Sequence, residues 1–297
     1  MATTHYSPSD LNQTFELNPR FRNLVFLLIG LGIVLILAGV LFAPSDSHAA
    51  ADHGDHAALV DQTLGQTVAD DHGEGGHHGH EVTLGTRILS NLLLCGLYFF
   101  TIAMGSLFFL VIHRVGNAGW HTAIRRVPEA IISYLPIGVV SLTAIFFFLN
   151  NIYEWAWMPE GADAIIDSKR GYLNKAFFIA RNALYFGIWV AGAWFLRKLS
   201  VEADRENPEG ALAKFHRSGT FAAGFLVFYA LSYTLFAVDW IKSLEPHWFS
   251  TIFGIYIFAG SMVSSMVVTY LLIVFLKRQG YMQWVNGAHF HDLGKYT

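Results

Sequence analysis

An acid, a base, a second acid and an imidazole stand within one short stretch: Asp239, Lys242, Glu245 and His247. Carboxylates and an imidazole at this spacing can exchange protons, because histidine changes charge near neutral pH and neighbouring acids tune where it does so. The same stretch also reads as a plain connection. Trp240 and Trp248 suit an aromatic belt at a membrane surface, and Pro246 suits the first turn of a following helix, where its missing N–H costs nothing. Two further groups extend the candidate set. Arg181 falls inside an apolar run, about 9 Å along a helix from its nearer end at roughly 1.5 Å per residue. Glu154 stands between Tyr153 and Trp155 at the end of another run. An arginine in a membrane costs several kcal/mol unless it snorkels or pairs. A carboxylate among Asp239, Glu245 and Glu154 is therefore the expected partner of Arg181. None of these residues is assigned a catalytic role.

A second group of chemical interest lies in residues 44–86, which hold seven of the 14 histidines and eight acidic residues. Neutral imidazoles bind zinc or copper, so His53, His56, His77, His78 and His80 are weak metal candidates. Their spacing follows no regular ligand pattern. With Gly and Ala between them and little apolar content, the segment reads first as a linker that cannot build a core. His113, His121 and His216 read as solvated interfacial histidines. No C-x-x-C-H, cysteine array, Walker or dinucleotide-binding pattern is present, and no histidine is placed inside a span, which disfavours a haem held by two of them. The chain is expected to bind no cofactor and no metal of its own.

The elements that must position these residues are long and apolar. Hydrophobic residues make up 54% of the chain and charged ones only 14%, against roughly 25% in soluble domains. Six runs, at 23–43, 88–112, 131–150, 176–196, 219–238 and 249–276, are each near the roughly 20 residues that a spanning helix needs. The expected fold is all-α, a polytopic transmembrane helix bundle with six spans. The first run follows a polar segment and is longer than a signal-peptide core, so it is read as a retained helix. Residues 1–43 form a tail and first helix, 44–86 an external loop, and 87–297 a five-helix bundle. The net charge of -3 gives no reason to expect nucleic acid as a partner. Cys95 stands alone, so no intrachain disulfide can form.

Basic residues alternate between connections. Arg20 and Arg22, then Arg114, Arg125 and Arg126, then Arg197, Lys198, Arg205, Lys214 and Arg217, then Lys277, Arg278 and Lys295 fall on one side, while 44–86 has none. The positive-inside bias then places both termini in the cytoplasm and residues 44–86, 151–175 and 239–248 outside. Small residues at Gly260/Ser264 and Ser261/Ser265 would let helices approach closely.

The run from His216-Arg217-Ser218-Gly219 through Asp239-Trp240 to Ser243-Leu244-Glu245-Pro246-His247-Trp248-Phe249-Ser250-Thr251-Ile252-Phe253-Gly254, with the tail His291-Asp292-Leu293-Gly294-Lys295, resembles the ActF subunit of bacterial alternative complex III. That family is NrfD-like and is described as the second quinone-binding subunit of a quinol:cytochrome c oxidoreductase. The resemblance covers most of 114–295 and leaves out the His-rich loop. It implies a bacterial inner-membrane protein that scaffolds the larger ActC subunit and takes part in proton translocation. It implies menaquinol or another quinol in the complex, with haem c and iron–sulfur clusters in partner subunits. It also makes Asp239, Lys242, Glu245, His247, Arg181 and Glu154 quinol-proximal or proton-exchanging candidates. Family members are ten-span proteins, so the bundle is expected to continue beyond Thr297. Two other readings stand beside this one: a subunit with its own quinol site at the external cluster, and a secondary transporter. The transporter reading lacks the matched pair of interrupted helices that marks a transport site.

Overall fold

The computed structural model describes residues 18–41 and 84–296. Among the described residues every regular element is helical. The chain divides into two compact units, one covering Glu16–Ile88 and the other containing Leu89–Thr297. In the first unit, helix α1 spans Pro19–Leu41, and large apolar side chains such as Leu27 and Leu31 are exposed along it.

The second unit is a bundle. Its helices are α2 (Leu84–Val115, which starts just before the boundary), α3 (Arg126–Ile132), α4 (Leu135–Ile145), α5 (Leu149–Ile152), α6 (Ala164–Lys169), α7 (Lys175–Ala203), α8 (Pro208–Trp240), α9 (Phe253–Arg278) and α10 (Gly287–Gly294). Five helical stretches among the described residues are long and apolar enough to cross a membrane: Leu84–Val115, Arg126–Ile152, Lys175–Ala203, Pro208–Leu244 and Phe253–Arg278. Two-thirds of the apolar window of α2 is buried, against 28–44% for the other four, so α2 is the central helix. The others keep Ile137, Val140, Phe147, Trp194, Val227 and Ile255 exposed, as lipid-facing helices do.

Caps fix where the long helices begin. Asn174 accepts from the Phe177 amide at 2.9 Å to start α7, and Asn207 accepts from Gly210 at 2.7 Å, with Pro208 in the first turn, to start α8. The hydrophilic stretch at 200–217 reads in sequence as a short surface connection with room for a helical turn, and most of it is helical. Only 204–207 connects the two helices, because the polar ends of α7 and α8 continue the helices beyond their apolar windows. The second correction concerns Pro246. It precedes no helical turn, and α9 starts at Phe253, after a turn and an extended stretch. Helix α9 ends in a Schellman motif: Tyr281 N–H reaches Leu276 O at 3.0 Å and Gly280 N–H reaches Lys277 O at 3.1 Å, with Gly280 at φ +91°.

Among the described residues the span at 126–152 is interrupted mid-course, by turns at Ser133 and Tyr134 ahead of Pro136 and by a 3-10 turn at Phe146–Phe148, whereas the span at 208–244 breaks only at Ile241 near its end. Helix α8 packs along both α7 and α9. At the crossing of α2 and α9, a Cβ on Gly105 would come within 2.8 Å of the Ser265 Cβ and closer still to the Ser261 carbonyl. Ser106 and Ser265 hydroxyls meet at 2.7 Å beside it, and Tyr233 OH donates to Ser261 Oγ at 2.8 Å. Of the two small-residue pairs, Ser261/Ser265 is the one in the interface. Gly260 faces open space. Phe100, Phe186, Trp189, Phe236 and Trp240 form a connected aromatic core between α2, α7 and α8.

Candidate functional site

Arg181 lies two turns into α7, and Asp239 lies in the last turn of α8. Because the two helices run antiparallel along their length, these turns face each other. Arg181 Nη2 donates to Asp239 Oδ1 at 2.8 Å and Arg181 Nε to Asp239 Oδ2 at 3.2 Å, a two-pronged ion pair. Asp239 is fully buried and Arg181 7% exposed. The guanidinium lies over the rings of Tyr172 and Phe177, at 3.8 and 4.2 Å from the centroids, and its Nη1 donates to Tyr172 O at 3.0 Å.

The pair anchors a wider network. Asn182 Nδ2 donates to Asp239 Oδ2 at 3.3 Å, and Trp240 Nε1 donates to Asn182 Oδ1 at 2.7 Å. Tyr153 OH donates to Trp240 O at 3.0 Å, and the Ser243 hydroxyl donates to Asp239 O. Four chain segments thus meet at one buried knot: the end of α5, the approach to α7, α7 itself and the end of α8. The Tyr172 hydroxyl is buried beside Asp239 without a full hydrogen-bond partner. Burial and the charge of Asp239 both hold the Tyr172 and Tyr153 phenols well above the usual tyrosine range, so both are neutral donors.

The other candidates form a separate layer on the surface. His247 Nε2 meets Asp163 Oδ2 at 2.6 Å, and its Nδ1 lies 3.7 Å from Glu245. Asp163 also caps α6, accepting from Ile165 N at 2.7 Å and Ile166 N at 3.0 Å. The Ile166 amide and the His247 imidazole hold its carboxyl below the usual range. Lys169 donates to Pro246 O. Lys242 donates to Ser250 O at 3.3 Å and lies 4.9 Å from the centroid of the Phe249 ring. Glu154 is half-buried and pairs with no cation among the described residues. The six sequence candidates therefore separate into a buried pair (Arg181 and Asp239), a surface group (Lys242, Glu245 and His247) and Glu154 apart from both.

The sequence reading missed Tyr172, Asn182 and Asp163. Asn182 follows Arg181 directly, but nothing in the sequence aims its side chain at a residue more than fifty positions away. Two histidines need correction. His113 and His121, taken as solvated, are 2% and 0% exposed. Their rings lie 5.1 Å apart, and each Nδ1 is bonded to a backbone oxygen, of Phe109 and Ala118. His113 lies inside α2, so a histidine does stand within a span. His216 is exposed. The same end of the bundle holds an ion network: Arg125 and Arg126 pair with Asp204, and Arg126 with buried Glu129, which also accepts from Ser200. The metal candidates His53, His56, His77, His78 and His80 lie outside the described residues. No group of three or more potential metal ligands occurs among the described residues.

No protein-family model matches the chain, and no curated protein is significantly similar to it.

Proposed function

We propose that the chain is an integral membrane subunit of an alternative complex III, a bacterial respiratory quinol:acceptor oxidoreductase. In this reading it carries no redox centre and braces ActC together with the multihaem cytochrome and iron–sulfur subunits. It sits in the inner membrane with six spans and both termini cytoplasmic. The observation that carries the reading is the use made of the stretch that resembles the family. Asp239 and Trp240 are not surface punctuation between two helices; they are buried in a network that ties α5, α7 and α8 together. A bundle locked at that end is suited to scaffolding. Affinity capture of the tagged chain from its native membrane tests the reading. Multihaem cytochrome c and iron–sulfur subunits are expected to copurify with quinol-oxidising activity, and capture without them removes the proposal.

A second reading, a quinol site of its own at the external cluster, draws on the Tyr172 hydroxyl, which is buried beside Asp239 with no full partner. In that case Asp239→Asn leaves assembly intact and slows turnover with a shifted pH profile. In the scaffolding reading the same substitution weakens assembly, while whatever assembles turns over normally. A transporter is less well supported, because among the described residues the span broken mid-course has no counterpart broken in the same way, the span at 208–244 departing from α-helix only at its end.

A further inference from the structure

Between α4 and α7 runs an apolar groove of about 700 Å³, bounded by Ser133 to Thr143 on one side and Ala183 to Arg197 on the other. Its walls are leucine, valine, alanine and phenylalanine, and Gly187 opens it further, since a Cβ there would meet no atom within 4 Å. From Ala183 to Arg197 the helix rises about 21 Å at roughly 1.5 Å per residue. One leaflet of a bilayer core is about 15 Å thick. The groove is thus long enough to hold an acyl chain through a leaflet and reach the headgroups.

The mouth of the groove is where the chemistry changes. Arg197 closes it and forms no ion pair among the described residues. Lys198 lies 5.1 Å from the centroid of the Trp194 ring, and Trp194 is itself a wall residue with 62% exposure. At this end Glu129 and Asp204 are taken by Arg125 and Arg126, and Glu202, one turn after Lys198, interacts with Lys198 and pairs with Lys214. An apolar trough that ends at Arg197, which has no ion pair among the described residues, beside a tryptophan, matches a lipid with a negative headgroup.

We propose that this groove is a binding site for one anionic phospholipid, an acyl chain lying against α4 and α7 and the phosphate on Arg197. The inference rests on the chain spanning a membrane and not on the respiratory assignment. It is tested on the full chain in nanodiscs, with Trp194 fluorescence isolated by subtracting the Trp194→Phe protein. The probes are phosphatidylglycerol and phosphatidylcholine carrying brominated chains. Brominated phosphatidylglycerol is expected to quench Trp194 at roughly fivefold lower mole fraction than brominated phosphatidylcholine, the preference that one interfacial cation supplies. Arg197→Gln is expected to abolish the preference. Gly187→Leu, which fills the groove, is expected to weaken quenching by both lipids. Equal quenching by the two headgroups in the unmodified chain means ordinary annular lipid and overturns the proposal. Absence of quenching by either means that protein fills the groove, and overturns it as well.

Discussion

At the scale of single residues, electrostatics decides what the buried groups can do. Leaving one charge of a buried pair without its partner costs about 3–5 kcal/mol, whereas replacing both by apolar groups is often neutral. Asp239→Ala and Arg181→Met are each expected to lower the thermal unfolding midpoint in detergent. The double variant Arg181→Met/Asp239→Leu is expected to lie nearer the unmodified protein than either single one. A single variant that unfolds like the parent contradicts a structural role for the pair. His121 gives a pH signature. Burial pushes its imidazole down to about 4, from the ordinary value near 6.5. Above that ordinary value both folded and unfolded states are neutral and nothing is lost. As pH falls below it, the unfolded state binds a proton that the folded state refuses, so stability declines until about pH 4. The loss is at most about 3.5 kcal/mol, taking about 1.4 kcal/mol per unit. His121→Phe is expected to flatten that part of the stability–pH curve, read as denaturation midpoints from pH 7 to pH 4.

At the scale of elements, close helix approach is the controlling feature. Gly105 lets α2 lie against the backbone of α9 at Ser261, where even a methyl group has no room. Gly105→Val is expected to destabilise by about 1–3 kcal/mol or more through overpacking. Gly260→Val, on the open face of α9, serves as the control and is expected to do little. Equal effects at the two positions would remove the crossing as the explanation. The elements were largely legible in the sequence, because apolar runs near 20 residues leave few alternatives. What escaped was set by tertiary contact. The crossing uses one of two equivalent small-residue pairs, and only the neighbouring helix decides which. Likewise Pro246 carries a helix-start signal, yet the turn that holds His247 against Asp163 delays α9 to Phe253. Of the site, the need of Arg181 for a carboxylate was legible from the cost of its burial. The choice of Asp239 over Glu245 and Glu154 was not, because it depends on α7 and α8 facing each other.

At the scale of the whole molecule, the distribution of charge is the strongest statement the sequence makes about orientation. Thirteen of the 19 basic residues fall in alternate connections and tails, and 44–86 has none. The structure adds a physical contrast between the two ends of the Leu89–Thr297 bundle. One end holds Arg125, Arg126, Glu129 and Asp204 in an ion network, with Arg197 and Lys198 nearby. The other holds the Arg181–Asp239 knot beneath the contact between His247 and Asp163. Basic residues are retained on the cytoplasmic side during insertion, so the end rich in arginine is the one expected there. Reporter fusions at Gly75 and at Arg205 are expected to fall on opposite sides, Gly75 outside and Arg205 in the cytoplasm. Fusions at Arg205 and Lys295 are expected to agree, because α8 and α9 lie between them and two crossings restore the side. A Gly75 fusion on the same side as Arg205 would require an even number of crossings where α2, the span at 126–152 and α7 give three, and the six-span arrangement could not stand.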